Sequence, residues 1–340
     1  MSWNRVLRSR EIVVLVILVG LVAAVGLVNP AFARVDALLG IVDASLILIL
    51  IAIGQTFVIL TRGIDVSVGA IVGLGAVILG TVLNNGLALE AGLALTLVVG
   101  LAAGAINGVG VAFFRVPPII MTLGTMGLYR GLMFWITDGS WIEALPRTIK
   151  ALSGVRFIGV SMFAWVVLGV VVATAVLLRR LKQARYLYAV GDNEEGARLA
   201  GLPVRLTQFM AYALAGLFAG GAAILFVSQI GFVPMNTGSG QEMRAIAASV
   251  LGGVNLAGGV GTPFSAVVGG IFLTMIDSVL IYLKVPAFWN NAIAGAILLV
   301  VVLVDFRIRR AVEARQRQAR ARARGRTMAA STPAAIKEAS

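Results

Sequence analysis

The feature that most constrains this chain is a series of ten apolar stretches, because a helix needs about 20 apolar residues to cross a bilayer. They lie at residues 11–28, 42–60, 66–84, 88–112, 117–136, 157–178, 205–228, 242–257, 263–283 and 287–304. Only 13% of the residues are charged, whereas soluble domains carry about 25%. The sequence therefore predicts an all-α fold, a polytopic transmembrane helical bundle of about ten spans.

Positive charge predicts the orientation of these spans, since Lys and Arg concentrate in cytoplasmic loops. An even number of spans places both termini on one side of the membrane. If that side is the cytoplasm, the inner segments hold 21 of the 28 basic residues and the outer segments hold five. We therefore expect a cytoplasmic N-terminus at 1–10, a transmembrane domain at 11–304 with a cytoplasmic loop at 179–205, and a disordered cytoplasmic tail at 305–340.

The tail is the most basic part of the chain, with ten basic and two acidic residues from Arg307 to Ser340. Such a segment also suggests binding to nucleic acid. No aromatic residue interleaves with its arginines, so base stacking has no partner. We expect the tail to lie near the anionic surface of the lipid bilayer, with no nucleic-acid partner.

The first apolar stretch has two interpretations. Three arginines precede it and Ala31-Phe32-Ala33 follows it, as at the cleavage site of a signal peptide. The stretch is longer than the roughly 7–15 apolar residues of a signal peptide, however. Its removal would also leave an odd number of spans, so we expect an uncleaved first helix.

The residue types that are missing exclude several kinds of chemistry. The chain has no Cys and no His, so it lacks the side chains of thiol nucleophiles, Ser-His-Asp triads and Cys/His metal sites. No Lys stands between a Gly and a Ser or Thr, so no nucleotide-binding P-loop is present. We expect no metal, no cofactor and no catalytic activity in this chain.

Polar residues interrupt the apolar pattern first at Gly63-Ile64-Asp65-Val66-Ser67-Val68-Gly69. Irregular backbone at membrane depth is tolerated only against protein or a watery cavity. Asp65 is a candidate N-cap, Ser67 would lie in the first turn of the next helix, and the two glycines permit close approach. One interpretation is a helix start that satisfies its own amides. The other is a lining of a translocation path by Gly63, Asp65, Ser67 and Gly69.

The second interruption runs from Gly252 to Pro263 and is rich in glycine, which predicts a tight turn between two spans. Asn255 lies in it and is a further candidate for the path. Upstream, Glu242 and Arg244 begin the eighth stretch, where each would cost a few kcal/mol if it faced lipid. They are two residues apart and so lie on different faces of a helix, which predicts separate partners.

Small residues recur every four positions in several stretches, which predicts close helix packing. They are Gly69/Gly73, Gly100/Gly104/Gly108, Gly127/Gly131 and Gly216/Gly220. A short motif also recurs, since Arg115-Val116-Pro117 follows the fourth stretch and Lys284-Val285-Pro286 follows the ninth. Inverted repeats of five spans each would place the two motifs in this way, and chance is the alternative explanation of so short a match.

The loop at 179–205 contains a predicted short helix at about 193–200. Asp192 or Asn193 caps its start, two acidic residues favour its first turn, and Gly201 ends it. Arg198 lies four residues after Glu194, a spacing that predicts a stabilising pair. The helix is either an ordinary surface helix or a docking element for a soluble partner.

Three segments resemble, in the right order, the permease subunits of bacterial ABC importers for monosaccharides, of the ribose/galactose/xylose type. They are Gly63–Gly69, Arg185–Gly201 and Glu242–Gly261, and the resemblance covers residues 40–305. It implies an inner-membrane permease that moves a sugar-like solute inward and does no chemistry. It also implies that two permease copies meet in the membrane, that two ABC ATPase subunits bind on the cytoplasmic side, and that a periplasmic sugar-binding protein docks outside.

The same resemblance implies that the loop helix is the coupling helix, which docks into the ATPase. The matching positions are Gly191, Asn193, Glu194, Glu195, Ala197 and Gly201. Three positions depart from the family pattern: Ala184 where Gly is common, Gly196 where Ala is common, and Arg244 where the residue is usually acidic. Gly in a helix costs about 1 kcal/mol relative to Ala, so Gly196 would soften the docking helix.

Two other classes of protein fit parts of the pattern. An ion-driven secondary transporter would use buried carboxylates, for which Asp65 and Asp277 are the candidates. A membrane enzyme acting on lipid would need a cluster of acids, bases or metal ligands, and the intramembrane charges here are scattered along the chain. The identity of the solute is not encoded in any motif that we recognise.

Overall fold

The computed structural model describes residues 10–284 continuously, with scattered positions between 286 and 299. The predicted tenth span and the tail at 305–340 therefore fall outside the continuously described chain. The helices are α1 Arg10–Val28, α2 Val35–Leu60, α3 Val68–Asn84, α4 Leu89–Ala112, α5 Pro118–Thr137, α6 Arg147–Gly154, α7 Met162–Arg180, α8 Lys182–Asp192, α9 Glu194–Leu199, α10 Val204–Ile230, α11 Gln241–Leu251 and α12 Pro263–Tyr282. A short 3₁₀ helix, Pro30–Ala33, joins α1 to α2.

Six of the described helices are long and apolar enough to cross a membrane: α2, α4, α5, α7, α10 and α12. Two further helices carry shorter apolar segments, Val16–Val28 within α1 and the whole of α3. These helices confirm the predicted class, an all-α transmembrane bundle. The predicted count of ten spans and the cytoplasmic location of both termini stay predictions.

The helix at the predicted eighth span, 242–257, is shorter than predicted. α11 has 11 residues, which is a length of only about 16 Å at the helical rise of 1.5 Å per residue. The polar residues at its start and the glycine-rich turn after it, Gly252–Thr262, restrict its length. The sixth span also begins later than predicted, because a hairpin of β1 (Arg156–Phe157) and β2 (Val160–Ser161) precedes α7.

α3 and α11 begin beside each other in the interior, and each follows a stretch of irregular backbone. The stretch before α3 follows Leu60, the last residue of α2. The stretch before α11 follows Val233, which forms a β-bridge with Ile142 in the loop after α5. A Cβ added to Gly69 in the first turn of α3 would collide with Gly238 O and with the carboxylate of Glu242. No larger residue at position 69 fits between these two helix starts.

α4 and α10 form the largest helix–helix interface among the described elements. A Cβ added to Gly104 would lie 2.9 Å from the Cα of Gly216, and one added to Gly100 would lie 3.0 Å from the Cα of Gly220. These distances confirm the predicted close packing at these glycines. Gly127 contacts no other helix of the described chain, since an added Cβ would meet nothing within 4 Å.

α12 packs on α2 and α11 in a similar way. A Cβ at Gly270 would lie 2.8 Å from Cγ1 of Ile49 on α2, and one at Gly269 would collide with Ala248 O on α11.

The residues that follow α4 and α12, Arg115 and Lys284, share the same left-handed backbone, with φ of 58° in both. These parallels support the predicted inverted repeat, which stays a prediction because its tenth span lies outside the described residues.

Candidate functional site

α9 is the helix that the sequence predicts for the cytoplasmic loop, and its start has the predicted cap. Asn193 is the N-cap residue, and its side-chain oxygen accepts a hydrogen bond of 2.9 Å from the amide of Gly196. Glu194 and Glu195 occupy the first turn, where negative charge is favourable against the helix dipole. Both acidic side chains are exposed. The acidic face of α9 is therefore free to contact a partner.

The other end of α9 is closed by a Schellman motif. The amide of Gly201 donates to Arg198 O, and the amide of Leu202 donates to Ala197 O, both at 3.0 Å. Gly201 has φ of 74°, a left-handed conformation that favours glycine at this position. Ala197 is buried in a small apolar cluster with Val190, Val204 and Leu202. α9 is thus anchored by one face.

One predicted contact of α9 is different in the structure. Arg198 pairs with Glu195, three residues before it, rather than with Glu194, four residues before it. Its hydrogen bond and positive charge hold the pKa of the Glu195 carboxyl below its usual range. Both partners are more than half exposed, so the pair contributes little to stability. Glu194 forms no hydrogen bond or ion pair within the described residues, and it acts on Arg198 through its charge alone.

The loop that leads into α9 is fixed against two other segments. Gly191 lies so close to Leu60 O and to the amide of Gly259 that an added Cβ would collide with both. The hydroxyl of Tyr188 donates a hydrogen bond of 2.9 Å to Gly261 O, and burial raises the pKa of that hydroxyl. The sequence analysis missed Tyr188, together with α8 on which it lies. Buried Leu187 and Val190, three residues apart on α8, were the available signal.

The first polar interruption forms a closed hydrogen-bond network around Asp65, which is fully buried. Its Oδ1 accepts bonds from the amide of Ser67 at 2.8 Å and from the hydroxyl of Ser67 at 2.7 Å. Asn107 on α4 donates to the Ser67 hydroxyl at 2.7 Å and accepts from Thr125 on α5 at 2.6 Å. The N-cap position of α3 is Ser67 rather than Asp65. This environment supports the interpretation as a helix start.

The other candidates for the path do not join this network. Gly63 packs against the hydroxyl of Tyr212, and Gly69 packs against Gly238. Asn255 lies in the glycine-rich turn, where its side chain accepts a hydrogen bond of 2.7 Å from the amide of Ala257. Asn255 therefore lies apart from the other four candidates, which share the segment before and at the start of α3.

Glu242 and Arg244 have separate partners, as predicted. Glu242 accepts a hydrogen bond of 3.2 Å from the amide of Gly240 through Oε1, while its buried Oε2 has no partner among the described residues. Arg244 pairs with Asp277 on α12. A third intramembrane charge, Arg130 on α5, donates to Thr237 O at 3.3 Å. Glu242 and Arg130 thus contact the segment before α11, and Arg244 contacts the helix after it.

The long apolar helices define a multi-pass membrane protein. The chain matches the family model described as branched-chain amino acid transport system / permease component over residues 37–302. It belongs to this family and is the permease subunit of an ABC importer, a multi-pass protein of the bacterial inner membrane. Its function is transport rather than catalysis, and importers of this kind work with an ATPase and a solute-binding protein.

Among individual relatives, the chain is similar to the autoinducer 2 import system permease protein LsrC of several bacteria. It is 46% identical to the protein of Photorhabdus luminescens over 305 residues, which is 90% of this chain and 92% of the relative. It is 47% identical to that of Escherichia coli (strain K12 / DH10B), over 90% of this chain and 89% of the relative. For Yersinia enterocolitica the identity is 46%, over 92% and 87% of the two chains. No solved structure matches the chain.

Proposed function

We propose that the chain imports autoinducer 2 or a closely similar neutral, sugar-like solute, and that α9 is the helix that docks into the ATPase. The observation that carries the docking role is the geometry of α9. Its apolar face is anchored through Ala197, its two ends are capped by Asn193 and Gly201, and its acidic face is exposed. A short helix that is capped at both ends and anchored on one face moves as a rigid unit. A movement of the bound partner would therefore be passed on to the membrane helices.

The proposed solute rests on the relatives. The identity of 46% to LsrC proteins extends over 90% of this chain, and autoinducer 2 is sugar-like. The family description names a branched-chain amino acid system, which gives a competing substrate class. The two differ in charge, since an amino acid is zwitterionic and a sugar is neutral. Uptake by cells that express the chain with its partners should therefore be inhibited by excess autoinducer 2 and unaffected by excess leucine.

We also propose that two copies of the chain meet through α5. Thr122, Thr125, Tyr129 and Met133 form the face of α5 that is buried in the bundle. The opposite face carries Gly124, Gly127 and Gly131, and a Cβ added to any of them would meet nothing within 4 Å. Glycines on an outward face let a second helix approach closely in a membrane. The transport path would then lie beside this contact, between the two copies.

The experiment that tests the docking role is co-purification of the ATPase subunit with the tagged chain in mild detergent. We expect stoichiometric ATPase with the wild type and loss of it in the variant Glu194→Lys/Glu195→Lys, because the acidic face of α9 is the proposed contact. Glu90→Lys/Glu143→Lys is the matched control, since both of these acids are exposed and lie outside the loop at 179–205. Undiminished ATPase in the α9 variant would contradict the docking role.

A second measurement separates the proposal from an ion-driven transporter. Proteoliposomes that contain the complex and enclose ATP are supplied on the outside with solute and binding protein, with and without an ionophore. ATP-dependent uptake that resists the ionophore is expected. Uptake without ATP that the ionophore abolishes would replace the importer with a secondary transporter, for which Asp65 and Asp277 would be the first carboxylates to replace.

A further inference from the structure

Arg62 occupies the point where α2, the loop before α9 and the glycine-rich turn meet. It follows the end of α2 and has a left-handed backbone, with φ of 64°. Its Nε donates to Gly191 O at 2.6 Å and to Ala257 O at 2.9 Å, and its NH2 group donates to Asp192 O at 2.5 Å. One side chain thus joins three segments that are distant in sequence.

Within the described residues, the carbonyl groups that Arg62 contacts on α8 have no other hydrogen-bond donor. Gly191 and Asp192 are the last two residues of α8, and the last carbonyls of a helix have no partner within the helix. A guanidinium is a favourable ligand there because it carries several donors and a positive charge at the negative end of the helix dipole. Arg62 therefore fixes the end of α8, which lies directly before α9.

Backbone contacts hold the same three segments together. The amide of Gly259 donates to Leu60 O at 3.1 Å, which satisfies a carbonyl at the end of α2. Gly258, in the same turn, packs on the stem of Arg62 and on Gly191 O, with an added Cβ placed 2.6 Å from Cγ of Arg62. The three bonds that the side chain of Arg62 donates add to these backbone contacts.

We propose that Arg62 is a positioning residue that couples the docking helix α9 to the two interrupted segments of the membrane domain. On one side Arg62 is three residues from Asp65, which lies in the irregular stretch before α3. On the other side it holds Ala257 in the turn between α11 and α12. A displacement of α9 by a bound ATPase therefore reaches both segments together. This inference rests on the proposed docking role of α9 and assigns the connection beyond it.

Arg115 provides a matched control. It also follows a helix end, with φ of 58°, it is exposed, and it lines with Arg62 a cavity of about 390 Å³ beside α9. Within the described residues the side chain of Arg115 forms no hydrogen bond or ion pair. Arg62→Gly and Arg115→Gly relieve the same backbone conformation and remove the same charge from the same cavity. They differ in that only the first removes the three bonds to carbonyl groups.

The first test is hydrogen–deuterium exchange of the purified permease without partners, and so it is independent of the proposed function. We expect Arg62→Gly to accelerate exchange in peptides covering 185–201 and 252–262, because local opening of both segments becomes easier. Arg115→Gly should leave both peptides at wild-type exchange. Wild-type exchange in the Arg62 variant, or equal acceleration in both variants, would overturn the structural part of the proposal.

The second test is the amount of solute imported per ATP hydrolysed by the assembled complex. We expect Arg62→Gly to bind the ATPase normally and to lower this ratio about tenfold, a coupling free energy of ordinary size. Arg62→Lys, which keeps one charged donor group, should give an intermediate ratio, and Arg115→Gly should give the wild-type ratio. A general loss of stability would lower the yield of complex and leave the ratio unchanged.

The outcomes separate this inference from the docking role. If the Glu194→Lys/Glu195→Lys variant loses the ATPase but Arg62→Gly and Arg62→Lys keep the wild-type ratio, the docking role stands and the inference about Arg62 is wrong. If the wild-type chain binds no ATPase, the docking role itself fails. If Arg62→Gly does not assemble, the Arg62→Lys variant decides, since a wild-type ratio there contradicts the need for three bonds.

Discussion

The guanidinium of Arg244 on α11 donates to the carboxylate of Asp277 on α12. The two side chains are 25% and 20% exposed, so most of each charge is withdrawn from the surface. The pair joins the half-length helix α11 to the full-length helix that follows it. The negative charge of Asp277 thus compensates for the positive charge of Arg244.

Removal of one member of this pair should destabilise the chain more than removal of both. Arg244→Leu leaves the Asp277 carboxylate without its partner, and Asp277→Leu leaves the guanidinium without its partner. Each single change should cost about 1–3 kcal/mol, the range for a lost hydrogen bond between charged groups. Arg244→Leu/Asp277→Leu should cost less than the sum of the single changes. Thermal unfolding in detergent measures all three, and strictly additive effects would show that the pair is not coupled.

The contact between α4 and α10 should tolerate no added side chain at Gly104. Gly104→Val forces the two helices apart, because the new Cβ would lie 2.9 Å from the Cα of Gly216. Overpacking of this kind costs about 1–3 kcal/mol or more. Gly40→Val is the control, since a Cβ at exposed Gly40 on α2 meets nothing within 4 Å. Size-exclusion profiles and melting temperatures in detergent should be altered by the first change only.

In the network around Asp65, stability should depend on whether each hydrogen-bond donor faces an acceptor. Asp65→Asn points an amide group at the side-chain amide of Asn107, so two donors face each other, and the loss of one buried bond costs about 1–3 kcal/mol. Asp65→Asn combined with Asn107→Asp restores a donor and an acceptor and should recover part of the loss. Glu143→Gln, at an exposed acid outside the helices, should leave the melting temperature unchanged. An Asp65→Asn variant of wild-type stability that fails to transport would instead favour a role in the path.

The proposed contact between copies predicts that bulk on the outer face of α5 prevents dimerisation. Gly127→Leu/Gly131→Leu fills the glycine groove and should convert the dimer to a monomer without loss of helix content. Gly169→Leu on α7 is the control, because Gly169 is also exposed and open. Light scattering of the permease in detergent distinguishes the two states. A dimer that survives in the α5 variant would place the contact elsewhere.

The class of fold could be predicted because membrane helices consist of long apolar runs of residues. Five helices lie close to their predicted positions: α2, α4, α5, α10 and α12. α9 could be predicted because its signals are local: the cap at Asn193 and the stop at Gly201 need no information from the rest of the chain. The relation between α9 and the turn at 252–262 could not be predicted. It depends on the backbone contact of Gly191 with Leu60 and Gly259, which are distant in sequence.

Two of the differences from the prediction have clear physical causes. The eighth span was predicted too long because apolarity alone does not report where irregular backbone replaces a helix, and before α11 the carbonyl of Thr237 accepts its hydrogen bond from Arg130 on α5. The predicted pair of Arg198 with Glu194 followed the spacing of four residues. In a helix of six residues both Glu194 and Glu195 lie within reach of Arg198, and the spacing of three is the one adopted.

The shortness of α11 has a consequence for biosynthesis. A helix of 11 residues with an arginine in it is a poor substrate for lateral release from the translocon, since one arginine at a helix centre costs about 2.5–3.5 kcal/mol. α12 emerges shortly afterwards and brings Asp277, the counter-charge of Arg244. We therefore expect α11 to remain uninserted beside the translocon until α12 has been synthesised. The two helices should then enter the lipid together as one hairpin. Chains truncated before Asp277 should leave α11 accessible to water-soluble reagents.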